Sequence, residues 1–189
     1  MPDTVTPRLI GVAIPTLREL RAGVLSSGGA GDGNANAVRL LREAGYAGGD
    51  AIFEAFEHWL AESIPDSAGE VRETVAPGVR ASSLSIDEFG ARASKFFGDA
   101  GWGEMTFTGR EDAGVAEVGI SDCWESAEEI ESPMPGCHVT TGTLASFFGR
   151  VAGYPMAVLE TECRANGAAR CRFTMGNAEV MNYKWDQLR

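Results

Sequence analysis

The chain has 189 residues, 44% of them apolar and 23% charged, with 27 acids against 16 bases and a formal net charge of -11. That length suits one globular domain with a real core, and an acidic surface lacks the basic footprint that nucleic acid or anionic lipid requires. No apolar run approaches the 18 residues a membrane span needs, and the N-terminus lacks a basic region followed by a long apolar stretch, so a cytosolic protein is expected.

In chain order, residues 1–14 read as a loose arm with a short extended piece, LIGVAI. Pro15 suits a first helical turn, and Leu17, Leu20, Val24 and Leu25 have helical spacing. SSGGAGDGN (26–34) reads as a flexible connection without a phosphate-binding glycine pattern. The expected organisation is an N-terminal arm and helix over 1–35, then a single domain over 36–189. Residues 36–63 carry the strongest helical pattern: Val38, Leu41, Tyr46, Ile52, Phe53, Phe56, Trp59 and Leu60 share a broad apolar face. Gly45, Gly48 and Gly49 interrupt it, and the expectation is one long helix against which another element packs closely. His58 reads as a surface or partly packed side chain.

Ser85 and Glu88 form a capping-box pattern, so a helix is expected from Ile86 to about Phe97, ended by Gly98 and Gly101. The period then changes to two: WGEMTF (102–107) and VAEVGIS (115–121) read as a hairpin closed by GREDAG. DCWESAEEIES is irregular or helical. HVTTGTLASFFGRVA (138–152) reads as a helix ended by Gly153, and a second hairpin follows from PMAVLETEC through RANGAAR to CRFTM. Tyr183 and Trp185 in the tail are expected to pack back. This order of elements is an α+β pattern with an antiparallel sheet packed with helices.

Residues 99–136 hold ten acids and one base, hence most of the negative charge; they read as a solvated acidic face or a docking surface for a basic partner.

The chemistry concentrates in the cysteines. Cys163 and Cys171 flank the Asn166-Gly167 turn, and pairing about Gly167 places them opposite each other on one face. They could form a disulfide, sit as small buried residues or grip a metal. Cys137 opens a helix, where a thiolate is favoured. Glu160 offers an oxygen, but on a regular strand Glu160 and Cys163 face opposite ways, so a bulge or the reach of the carboxylate must bring it round; Glu162 shares the defect. His138 and Cys123 are the rival ligands.

The run CHVTTGTLASFFGRVAGYPMAVLETECRANGAARCRF resembles the C-terminal signature of the 4-vinyl reductase domain family. The shared marks are a cysteine opening a helix (Cys137), an aromatic-rich helix (Phe147, Phe148) and E-x-x-C-x(7)-C-x-F (Glu160, Cys163, Cys171, Phe173). The resemblance implies a fold related to haem nitric-oxide-sensing domains and transport-particle subunits, a homodimer, and a structural Zn(II) held by Cys137, Glu160, Cys163 and Cys171. Arg164, Arg170 and Arg172 beside those residues are expected either to offset the site's negative charge or to be exposed.

The resemblance also implies a hydrophobic or aromatic small-molecule ligand beside the zinc lobe. Aromatic-sensing relatives orient the ligand's hydroxyl with a His and a Trp. Trp124 matches the Trp; the only histidines are His58 and His138, so the His has no match. The expected pocket lining is Trp124, Phe96, Trp102, Phe107, Phe147, Phe148 and Tyr154, with Phe89 and Phe97 nearby. The implied function is a zinc-stabilised sensor-type binding domain acting through a partner or dimer. The alternatives are an accessory protein of tetrapyrrole or bacteriochlorophyll synthesis and a ligand-free scaffold subunit. Hydrolase and nicotinamide or flavin fingerprints are absent from the sequence, so catalysis is not the expectation.

Overall fold

The computed structural model of the protein describes residues 9–29, 32–63, 79–110, 114–126 and 136–187. Its helices are α1 (Ile14–Ser27), α2 (Asp32–Ser63), α3 (Val79–Ser83), α4 (Ile86–Asp99), α5 (His138–Ala152) and α6 (Ala178–Gln187). Its strands are β1 (Met105–Arg110), β2 (Val115–Ile120), β3 (Ala157–Glu162) and β4 (Cys171–Gly176). They form one sheet in the order β1-β2-β4-β3, with every neighbouring pair antiparallel. The architecture is α+β, as the element order predicts. No helix among the described residues is long and apolar enough to cross a membrane.

Local chemistry sets most boundaries. Pro15 lies in the first turn of α1. LIGVAI is not a strand: residues 9–13 hold no regular structure and Ile14 joins the helix, because an extended segment needs a neighbouring strand to satisfy its backbone. The glycine-rich connection is shorter than expected, since Ser26 and Ser27 donate to the carbonyls of Gly23 and Val24 and stay in α1. Both halves of the Ser85–Glu88 capping box are present at α4. β1 begins at Met105 rather than Trp102: the Trp102 amide donates back to Phe97 O to close α4, and Gly103 follows at φ 111, where a side chain is strained. Tyr183 on α6 is exposed rather than packed back, and the side chain of Trp185 lies outside the described residues.

α2 runs unbroken through Gly45, Gly48 and Gly49, and close packing explains two of them. A Cβ on Gly45 would collide with the Val139 carbonyl of α5 and stand 3.0 Å from Thr143 N. One on Gly49 would stand 2.5 Å from Ser146 Cβ. Reciprocally, a Cβ on Gly142 would collide with the Arg42 carbonyl. The two backbones are thus nearly in contact, and the polar side of α5 is satisfied there: Thr143 Oγ1 donates to Gly45 O at 3.2 Å and Ser146 Oγ to Asp50 Oδ1 at 3.3 Å. The opposite side of α5 brings Leu144, Phe147 and Phe148 into the core formed with Met105, Val118, Ile120, Phe173 and Met175 of the sheet.

The acidic stretch is not one surface. Glu111, Asp112, Glu128, Glu129 and Glu131 lie outside the described residues. Asp99, Glu104 and Asp122 are exposed, whereas Glu125 is buried.

Candidate metal centre and ring cluster

The last hairpin resolves the facing problem posed by Glu160. β3 pairs with β4 as Glu160↔Phe173 and then Glu162↔Arg172, so one extra residue, Thr161, is accommodated in β3. This bulge lets Glu160 and Cys163 share the inner face with Cys171 and Phe173. Cys163 then starts a 3-10 turn (Arg164–Asn166): its carbonyl accepts from Asn166 N at 3.0 Å and Ala168 N at 3.2 Å, and Gly167 supplies the left-handed residue at φ 86. Cys137 arrives from elsewhere, as the residue immediately before α5.

Cys137, Glu160, Cys163 and Cys171 are all buried, and their ligand atoms lie within 4.8 Å of one another. The sulfur separations are 3.9 Å (Cys137–Cys163), 3.6 Å (Cys137–Cys171) and 4.0 Å (Cys163–Cys171). Thiolates about 2.3 Å from a tetrahedral zinc stand about 3.8 Å apart, so this triangle has the dimensions of a metal site. None of the thiols is in a disulfide. Glu160 Oε2 accepts from Cys137 N at 2.8 Å, while Glu160 Oε1 is buried without a partner. A buried carboxylate oxygen left open beside three thiols is what a cation would satisfy.

The electrostatics agree. Burial, then the charge of Cys163, pushes the Glu160 carboxyl up to about 8, against the opposing pull of the Cys137 amide. The Cys137 thiol is pushed up by its sulfur neighbours, Cys123 first and then Cys163 and Cys171. A dry cluster of acids cannot ionise together without a cation. One backbone donor favours the thiolate form: Arg164 N points at Cys171 Sγ, 3.5 Å away.

The rivals lie elsewhere. Glu162 is half exposed and pairs with Arg172 Nε at 3.2 Å. His138 is outside the four-residue group; burial, then the charges of Arg42 and Arg21, lowers its imidazole to about 4. Arg172 also faces Glu117, at 3.5 Å, and so answers surface carboxylates rather than the thiols. Arg170 is exposed. Cys123, by contrast, is buried with its sulfur 3.7 Å from that of Cys137.

Glu125 is the structural residue that reading the sequence misses. Its carboxylate accepts from Val139 N at 2.9 Å and Thr140 N at 2.8 Å, capping α5 from outside the helix. Arg21 of α1 donates to it at 3.2 Å and to Gly136 O at 2.6 Å, and Arg18 donates to Trp124 O at 2.8 Å. Helix α1 thereby holds both segments that flank the thiols. The acid sits in a run of acids, and nothing in its neighbours marks it as a remote helix cap; an anion at a helix N-terminus is recognisable only once the chain has folded.

The rings expected to line a pocket are contiguous but pack on one another. Trp124 meets Trp102 at 6.2 Å between centroids, Trp102 meets Phe97 at 5.9 Å, and Phe97 meets Phe147 at 5.1 Å and Phe96 at 5.4 Å. Phe147 meets Phe148 at 5.2 Å, Phe148 meets Phe107 at 5.8 Å, and Phe89 touches both Phe147 and Phe148. Tyr154 differs: it follows the last turn of α5 and is half exposed, so its ring does not share the burial of the others. An open groove of about 770 Å³ runs between α4 and the edge strand β1, lined by Ile86, Gly90, Ser94, Met105 and Phe107 among others. Of the expected lining residues only Phe107 borders it.

Comparison with known proteins returns the same α+β fold. Residues 116–177, about a third of the chain, match the model of the 4-vinyl reductase domain family, the same family that the hairpin signature resembles. Among solved structures, the chain is similar to the phenol-responsive sensory domain of the transcription activator PoxR, solved with phenol. The identity is 18% and the TM-score 0.63, over 91% of this chain and 78% of that one. A vinyl-4-reductase family protein from Methanocaldococcus jannaschii also matches, at 14% identity and a TM-score of 0.38, over 88% of this chain and 96% of that one. None of the curated proteins matches.

Proposed function

We propose that this protein is a sensor-type binding domain for a small hydrophobic or aromatic ligand, built around a structural Zn(II). The observation that carries the reading is the buried group of three thiols and one open carboxylate oxygen beside a continuous wall of aromatic rings. Cys137, Cys163, Cys171 and Glu160 would hold the ion. Four protein donors leave no position for a reacting water, so the ion would tie the last hairpin to the start of α5 and catalyse nothing.

The ligand site is assigned to the ring cluster formed by Trp124, Trp102, Phe96, Phe107, Phe147 and Phe148. A ligand the size of one ring could replace a ring-to-ring contact after modest side-chain movement, whereas a flat macrocycle would need the cluster to open. This favours a small aromatic over a tetrapyrrole. Structural similarity to a domain solved with phenol supports the same choice. The protein is read as cytoplasmic and dimeric. Leu9, Ile10, Val12, Ile14 and Leu20, exposed on and before α1, are the apolar surface a second copy would cover.

Native mass spectrometry of freshly purified protein tests the reading. One zinc per chain, a dimer and a retained small ligand are expected, with phenol and larger phenols added to ligand-free protein quenching tryptophan fluorescence saturably. Wild-type protein without zinc, or a co-purified pigment absorbing visible light, overturns it.

A further inference from the structure

The fourth cysteine is not an ordinary core thiol. Cys123 Sγ lies 3.7 Å from Cys137 Sγ, much the spacing that Cys137 keeps to Cys163 and Cys171. That distance matches one edge, about 3.8 Å, of the tetrahedron that thiolates form around a single zinc. Within the core its sulfur meets another sulfur and, at 3.8 Å, the Thr140 hydroxyl.

Its placement is held from both sides. Before it, Asp122 Oδ1 accepts from Glu104 N at 2.6 Å and Ser121 N donates to Glu104 O at 3.1 Å. Gly103 is pinned against the same turn, since a Cβ there would stand 2.6 Å from Asp122 Oδ1. After it, the Cys123 carbonyl accepts from Ser126 N at 3.1 Å and Ser126 Oγ at 2.9 Å. The next two residues are held by Arg18 and Arg21 of α1.

We propose that Cys123 is a fifth metal donor, so that the centre has two donor sets. Cys137, Cys163 and Cys171 are common to both, and the fourth position is filled by Glu160 in one set and by Cys123 in the other. Both sets carry four negative charges when ionised, so exchanging them leaves the site charge unchanged. The three-sulfur, one-oxygen set suits zinc; the four-sulfur set suits softer thiophilic cations such as cadmium. This inference rests on the metal-site reading above: wild-type protein that binds no metal removes both, whereas a wild-type metal centre that does not recruit the Cys123 sulfur once Glu160 is replaced removes this one alone.

Cobalt(II) reports the donor count, because its sulfur-to-metal charge-transfer absorption grows with the number of thiolates. Cobalt-loaded Glu160→Gln should keep one ion per chain and absorb about 1.3-fold more per ion than the wild type, as a fourth sulfur replaces oxygen. Cys123→Ser should absorb as the wild type does. The double variant should bind at least about 100-fold more weakly than Glu160→Gln, because losing even a residue that only orients a ligand costs up to about 100-fold. A Glu160→Gln spectrum with no gain in intensity, or equal affinities for Glu160→Gln and the double variant, overturns the proposal. If Glu160→Gln does not fold, cadmium-loaded wild type and Cys123→Ser decide by X-ray absorption. Four sulfurs falling to three supports the second donor set, and three in both overturns it.

Discussion

Replacing Glu125 with alanine should destabilise the protein by about 3 kcal/mol. The carboxylate receives Val139 N, Thr140 N and Arg21 Nε, so its removal strands two amides at a buried helix start and deprives a nearly buried guanidinium of its anion. Each stranded donor costs about 1–3 kcal/mol, and breaking a buried ion pair costs about 3–5 kcal/mol. These losses overlap, because one carboxylate serves all three donors. Arg21 keeps Gly136 O, and its side chain is 11% exposed, which places the loss at the lower end of the ion-pair range. Urea denaturation of zinc-saturated protein followed by circular dichroism measures it; with a slope of about 2 kcal/mol/M the midpoint falls by about 1.5 M. Glu125→Gln retains one acceptor oxygen and should lose roughly half as much. The two variants also separate by pH. Burial pushes the Glu125 carboxyl up, against the pull of the two amides and Arg21. A carboxyl whose folded value exceeds its unfolded one holds its proton more tightly when folded. Its contribution is therefore full below the unfolded value, about 4.3, and declines as pH rises through the folded value. Glutamine does not titrate, so the gap between wild type and Glu125→Gln should narrow as pH rises above about 4.3. A loss below about 1 kcal/mol for Glu125→Ala would refute the capping role.

Gly142→Ala forces α2 and α5 apart where the backbones nearly touch, and a loss of about 3 kcal/mol or more is expected from thermal unfolding; a neutral variant would contradict the close crossing. Ser85→Ala removes the α4 cap and should lower stability by about 1 kcal/mol in the same assay, without altering metal content. Cys171→Ser should release zinc and expose the last hairpin to protease, and a chelator should reproduce both effects in the wild type. Truncating Phe147, which touches Phe53, Phe56, Phe89, Phe97 and Phe148, should cost about 3–5 kcal/mol; retained cooperative unfolding with saturable phenol binding would make its cavity the ligand site.

The elements were legible where local chemistry dictates them. The Ser85–Glu88 box, Pro15, Gly153 and the alternation that makes a first hairpin are written in neighbouring residues, and the structure follows each. Boundaries slipped where a distant partner decides. LIGVAI has strand-like residues but no strand beside it, and Trp102 alternates correctly yet closes α4 instead of entering β1. The three glycines of α2 suggested close packing, but not that Gly45 and Gly49 face Val139, Thr143 and Ser146.

For the site, the Cys163–Cys171 spacing and the turn between them were a sequence property, because a hairpin's pairing follows from its turn. The facing conflict at Glu160 was equally visible in the sequence, but a bulge at Thr161 settles it, and a bulge depends on how β3 meets β4. Bringing Cys137 and Cys123 to the same sulfurs takes long-range folding of α5 and β2 against the sheet. The same holds for Glu125, one acid among ten until α1 and α5 enclose it. Local residue order therefore determined the helices, the hairpins and the thiol pair, since each depends on bonds between near neighbours. Which carboxylate is buried, which is open, and which sulfurs meet was decided only by tertiary packing, since desolvation and close approach belong to the folded chain and not to any stretch of it.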